Sequence, residues 1–189
     1  ALRLALEQHK MLAVGLKGIQ QERSISDAFE QTLTGQSLIN MMKLNYVIGS
    51  GGVLAHSPRR IQSMVIMTDS YQLEGITMLS VDSIFMMPHL GVLSQISEKA
   101  ALDVFYNDCL IRLGTTIAPV GLAKEGELIL EWEIETKEGK KLNGELRFGE
   151  IYLVELKDEE AEIILKPYKG FDVGGGKNNK VKGKIQGGV

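Results

Sequence analysis

A chain of 189 residues, 44% of them hydrophobic, can bury one large core or two small ones. Its formal charge of -3, with 24% of residues charged, gives no general attraction to nucleic acid or an anionic membrane, and no apolar run approaches bilayer length. The single cysteine, Cys109, excludes an internal disulfide and points to a reducing cytoplasm, and the N-terminus lacks the pattern of a signal peptide.

Leu2, Ala5, Leu6, His9, Leu12 and Ala13 keep the spacing of an amphipathic helix that Gly15 or Gly18 would end. His9, on or beside that stripe, reads as a structural histidine. The chain opens at Ala1 inside this helix and stops after Gly187 and Gly188, so both ends are expected to be cuts in something longer. The polar run KGIQQERSISD at 17–27 reads as a solvated loop, with Lys17, Glu22 and Arg23 as alternative ligand contacts. Ser37 is expected to cap a short helix over 38–42.

The organising stretch is 43–67, KLNYVIGSGGVLAHSPRRIQSMVIM. Leu44, Tyr46, Val47 and Ile48 suit a strand buried on both faces, and Gly49, Gly51 and Gly52 break it. Ser57 and Pro58 read as a helix start, after which Ile61, Met64, Val65 and Thr68 would face the sheet. Glycines between a strand end and a helix leave amides free to meet a phosphate or ribose; a tight turn needs glycine for steric reasons alone. The spacing is neither a Walker loop nor GxGxxG.

Gly75 opens a second strand over 76–81, with Asp82 at its carboxyl end, where open α/β sheets gather ligands; an Asx turn or helix cap is the alternative. IFMMPHLGVL at 84–93 reads as a buried crossing, or, through Met86 and Met87, as a partner surface. A helix is expected over 98–112, begun by Ser97 and closed by Arg112 and Gly114, with Cys109 as a packing residue. Residues 115–121, TTIAPVG, mark an expected boundary between domains at 1–120 and 121–189. Beyond it, Leu128, Leu130, Trp132 and Ile134 alternate with glutamates. Further strands are expected at 142–148, 151–156, 162–166 and 181–185, giving a small antiparallel barrel or sandwich. Gly174, Gly175 and Gly176 read as a flexible hairpin loop.

IGSGGVLAHSPRR at 48–60, VDSIFMMPHLGVL at 81–93 and DCLIRLGTTIAPVG at 108–121, together with QERSISDAF at 21–29 and FDVGGG at 171–176, resemble the MutL or GlmL accessory proteins of glutamate (methylaspartate) mutase and related adenosylcobalamin-dependent aminomutases. That family looks like a member of the actin-like, ribonuclease H-like ATPase superfamily. The resemblance implies an α/β second lobe of such an ATPase followed by the β-domain. It implies that Gly49, Ser50, Gly51 and Gly52 contact ribose or the α-phosphate of ATP; Asp82 joins the candidate cofactor-binding set through its place at the strand end. ATP with magnesium would be the cofactor of the intact protein, not one needed for this chain to fold, and the aminomutase its partner; neither nucleic acid nor membrane is expected.

By the same resemblance the phosphate-gripping first lobe would precede Ala1. This chain alone is then expected to bind ATP weakly, hold no metal ligands or catalytic residues, and show no turnover, the intact protein being at most a slow ATPase. The functional expectation is a nucleotide-dependent reactivating or chaperone-like factor for an aminomutase. A small-molecule kinase and a non-catalytic assembly partner are the alternatives.

Overall fold

The computed structural model describes residues 1–13, 39–157 and 159–188. The chain divides into two units, Ala1–Asn40 and Met41–Val189. In the first, helix α1 spans Leu2–Leu12 as its periodicity predicts, with Ala13 as C-cap, but it buries none of its residues and His9 is exposed. The expectations for Gly15, Gly18, the 17–27 run, the 21–29 motif and Ser37 lie outside the described residues.

The second unit opens with a 3-10 turn, Met41–Lys43, and then builds a three-stranded sheet. Strand β1 is Tyr46–Gly49, followed by a one-turn helix α2, Gly52–Ala55, and a longer helix α3, Arg60–Tyr71. Strand β2, Gly75–Asp82, lies in the middle, parallel to β1 and antiparallel to β3, Leu110–Ala118. Between β2 and β3 come helices α4, Met87–Ser94, and α5, Glu98–Val104, and a π-turn, Phe105–Cys109.

The central position explains the burial of β2: Thr77, Leu79, Ser80, Val81 and Asp82 are all buried. The polar members are satisfied, since Thr77 Oγ1 donates to Leu44 O (2.8 Å) and Ser80 Oγ lies 2.7 Å from the Tyr46 hydroxyl. Strand β1, by contrast, is an edge strand whose Tyr46 remains exposed, so it is not buried on both faces as its apolar run predicts.

Two further expectations change here. The helix predicted over 98–112 ends at Val104, and Leu110 onward is strand. Gly114 therefore caps no helix; it sits in β3 with φ +128° beside a bulge, where Leu79 pairs with Gly114 and Ser80 with Arg112. Residues 115–118, read as part of the domain boundary, are the end of that same strand. The 84–93 run is not a buried crossing either: Ile84, Phe85 and Val92 are exposed, with Leu90 buried against Ala101 and Cys109.

The second sheet is antiparallel in the order β5-β4-β6-β7, formed by Lys141–Arg147, Leu128–Thr136, Glu160–Pro167 and Val181–Gln186. Its inner face carries Leu130, Trp132, Ile134, Ile163, Leu165 and Ile185, over which Phe171 and Val173 close. Gly144, opposite Trp132, leaves room for the indole: a Cβ there would lie only 2.4 Å from a ring carbon. The outer face is a ladder of cross-strand ion pairs, among them Lys166 with Glu133 (3.0 Å) and Lys182 with Glu162 (2.6 Å). Residues 151–156, predicted to be a strand, belong to neither sheet. The loop at Gly174–Gly176 is held by Asp172, whose Oδ1 accepts from both Gly174 N and Gly176 N.

The two sheets meet. Thr115 Oγ1 in β3 donates to Gln186 O (2.9 Å) and accepts from Gln186 N (3.0 Å) at the end of β7, while Val120 and Asp172 form an isolated bridge. Ile76 and Ile117 of the first sheet pack against the core of the second.

Candidate functional site

The candidate site lies at the carboxyl ends of the adjacent parallel strands β1 and β2. Gly49 pairs with Val81, so the turn that begins at Ser50 and the carboxylate of Asp82 leave the sheet on the same edge. The four residues of the glycine corner do different work there. Gly49 is a packing residue: a Cβ would stand 2.7 Å from Leu54 Cδ1 and 3.0 Å from Met67 Sδ, so its missing side chain lets α2 and α3 close on the strand. Gly51 is conformational, with φ +100° and ψ 157°, a backbone region reserved for glycine, and nothing stands within 4 Å of where its Cβ would be. Gly52 begins α2, with His56 as its one near neighbour, at 4.0 Å. Ser50 Oγ is buried without a hydrogen-bond partner, a cost that native structures accept rarely.

Behind the turn, α2 and α3 are tied together. Ser63 Oγ, fully buried, donates to Leu54 O (2.7 Å), and Arg60 Nη1 donates to Ala55 O (2.6 Å). Ser57 does not cap α3; its Oγ donates back to Val53 O, and the helix begins two residues after Pro58, where Gln62 Oε1 accepts from Arg59 N. Arg60 is thus engaged at the base of the corner. The helix face also differs from the predicted one. Thr68 meets Thr116 of β3 (3.0 Å) and Met64 approaches Gly114, while Ile61 and Val65 point the other way.

Those two residues, with Gly52, Val53, His56 and Pro58, line an open, largely apolar cleft of about 630 Å³. Val53 and Val65 are exposed there, at 75% and 47%. His56 and Gln62 supply its polar rim. The sequence reading missed these lining residues because it assigned Ile61 and Val65 to the sheet-facing side. The i, i+4 spacing of Ile61 and Val65 along one face, continuous with Val53, was the available signal.

Asp82 is placed differently from the glycines. It is fully buried, and its oxygens accept from Ile84 N (3.4 Å), Met86 N (3.2 Å) and Met87 N (3.0 Å), which fastens the β2–α4 turn and the first turn of α4. Its alternative reading as a turn and helix cap is the one the geometry displays. Beside it, Ser83 bonds twice to Cys109 O, through N and Oγ. Cys109 is inaccessible, and burial, followed by the nearby Asp82 and Asp108 charges, raises its thiol above the ordinary range, away from the thiolate a nucleophile needs.

Among the described residues, no group of three or more His, Cys, Asp or Glu side chains could hold a metal ion, and no helix is long and apolar enough to cross a membrane. No curated protein and no solved structure matches the chain. A family model does: that of the MutL protein, over residues 1–109, from α1 through the glycine corner and Asp82 to the last residue before β3. With more than half its length matched, this chain belongs to the MutL family, the GlmL/MutL glutamate mutase accessory proteins.

Proposed function

We propose that the chain is the nucleotide-responsive part of an accessory protein that serves an adenosylcobalamin-dependent aminomutase, and that ATP approaches it at the Gly51–Gly52 turn. The observation that carries this reading is the open space at Gly51: a turn held in a glycine-only conformation, empty where a side chain would be, beside an apolar cleft. Ser50 Oγ, buried without a partner, supplies an unspent polar group at the same turn. A flat base would use the apolar walls formed by Val53, Ile61 and Val65, and backbone amides would meet ribose or the first phosphate.

Phosphoryl transfer rests on clamping the outer phosphates, and under this reading the chain alone is expected to bind ATP weakly and without turnover. The nucleotide acts by shifting a conformational equilibrium to which the mutase is differentially matched, and release of spent cofactor follows from that coupling. An actin-like arrangement and a cytoplasmic setting belong to this same proposal.

Calorimetry with ATP tests it. The cleanest variant is Gly52→Val, since Gly52 is not at positive φ and its Cβ would enter nearly open space, whereas a side chain at Gly51 would strain the backbone whatever the ligand does. Weak binding abolished by Gly52→Val, with unchanged thermal unfolding, is the expected result. Unchanged affinity in the folded variant would remove the corner from the site. Sub-micromolar affinity, or phosphate release above background, would mean a complete site within this chain.

A further inference from the structure

We propose that residues 151–155 receive a basic, extended polypeptide strand from another protein. The stretch Ile151, Tyr152, Leu153, Val154 has the composition of a β-strand, with aromatic and β-branched residues and neither glycine nor proline. Yet no backbone hydrogen bond joins residues 151–155 to any described residue; the run is flanked by the bonds Glu150 N to Arg147 O and Glu159 N to Leu156 O. Its side chains divide in two directions. Val154 and Leu156 pack against the core of the second sheet and anchor the stretch, while Tyr152, 61% exposed, touches Trp132 with ring centroids 5.4 Å apart. Ile151 and Leu153 are 89% and 57% exposed. An anchored chain with strand-forming side chains and unspent amides and carbonyls is what an incoming strand uses in β-augmentation.

A groove of about 570 Å³ runs beside it, between the stretch and the inner ends of β4 and β5, floored by Trp132 and Leu142. Charge decides the occupant. On the outer face of the sheet the glutamates are matched by lysines, as with Glu133, Glu160 and Glu162. Glu138, Glu155 and Glu159 line the groove and Glu150 directly precedes the stretch; none of these carboxylates has an ion-pair partner among the described residues, and the lysines in the lining are Lys140 and Lys157. A second copy paired through this same stretch would bring the same acidic excess to the contact and be repelled, whereas a strand carrying lysine or arginine would be drawn in.

The test uses the full chain and an acetylated, amidated heptapeptide alternating lysine and valine. Its controls are the glutamate counterpart and a version N-methylated on alternate residues, which keeps the charge but loses one hydrogen-bonding edge. Trp132 is the single tryptophan, so its fluorescence reports occupancy of the groove directly. Expected are a fluorescence change with the basic peptide alone, about tenfold slower exchange of alternate amides within 151–155, and inversion of the preference in the double variant Glu150→Lys, Glu155→Lys. Both substituted positions are exposed, so the variant leaves the core intact. Equal binding of the acidic peptide, full binding of the N-methylated one, or protection confined to the outer face would overturn the proposal. So would protection at 151–155 that appears without peptide and rises with protein concentration, because the occupant would then be a second copy.

Discussion

Asp82 shows how one residue can hold the end of a strand and the start of a helix in place. Three amides converge on its buried carboxylate in partly buried hydrogen bonds. Removing the carboxylate leaves those donors unpaired, so Asp82→Ala is expected to cost roughly 3 kcal/mol, with Asp82→Asn losing less because one oxygen remains. Chemical denaturation measures the loss. A change below about 0.5 kcal/mol would mean that the amides find water instead. From sequence, an aspartate at a strand end followed by a helix fits both a ligand contact and a cap, since both ask for a carboxylate beside free amides. Only the positions of the amides of Ile84, Met86 and Met87 separate the two. The glycine corner was legible for the opposite reason: glycines after a strand have few explanations, though Gly49 proves to serve packing and Gly51 the turn.

At the scale of elements, β4 was readable from its alternation, and β2 from its apolar run between Gly75 and Asp82. One misread segment was 105–118. Cys109, Leu110 and Leu113 suit a helical stripe, and Gly114 suits a helix end, but a π-turn at Phe105–Cys109 lets the chain re-enter the sheet beside β2. The bulge at Leu113 then absorbs the extra residue, a non-local compromise that no local pattern announces. The outer-face ladder of the second sheet carries a pH prediction. Hydrogen bonds from Lys169, Lys166, Lys137 and Lys182, reinforced by their charges, hold Glu127, Glu133, Glu160 and Glu162 below their ordinary pKa. A carboxylate lowered on folding stabilises the protein above its unfolded pKa, and the gain is lost as pH falls through the folded value. The melting temperature is therefore expected to be level above about pH 5 and to fall below about pH 4, less steeply in high salt because these pairs are solvent-exposed. A flat profile through that range would show that the ladder contributes nothing.

For the unit Met41–Val189 as a whole, the question is whether its two sheets unfold together. The change in character near residues 115–121 suggests a seam, and the first sheet does end at Ala118 while the second begins at Leu128. Three features cross that seam. Thr115 and Gln186 exchange a pair of hydrogen bonds between β3 and β7, Val120 pairs with Asp172, and Ile76 and Ile117 bury against the core that contains Phe171 and Val173. The end of the chain adds a fourth, because Gly188 passes so close to Leu113 that a Cβ would meet its carbonyl carbon. Unfolding the second sheet alone would expose Ile76 and Ile117 and release both partners of Thr115; unfolding the first would uncover one side of the shared core. Each half-unfolded state thus loses apolar burial without the full gain in chain entropy, which is the condition for all-or-none behaviour. Trp132 reports the second sheet and amide exchange of the Leu79 and Val81 backbone reports the first. Their urea midpoints are expected to coincide, and Thr115→Val is expected to lower both equally. Separate midpoints, or a Thr115→Val effect confined to one probe, would mean that the sheets are independent domains joined at the seam.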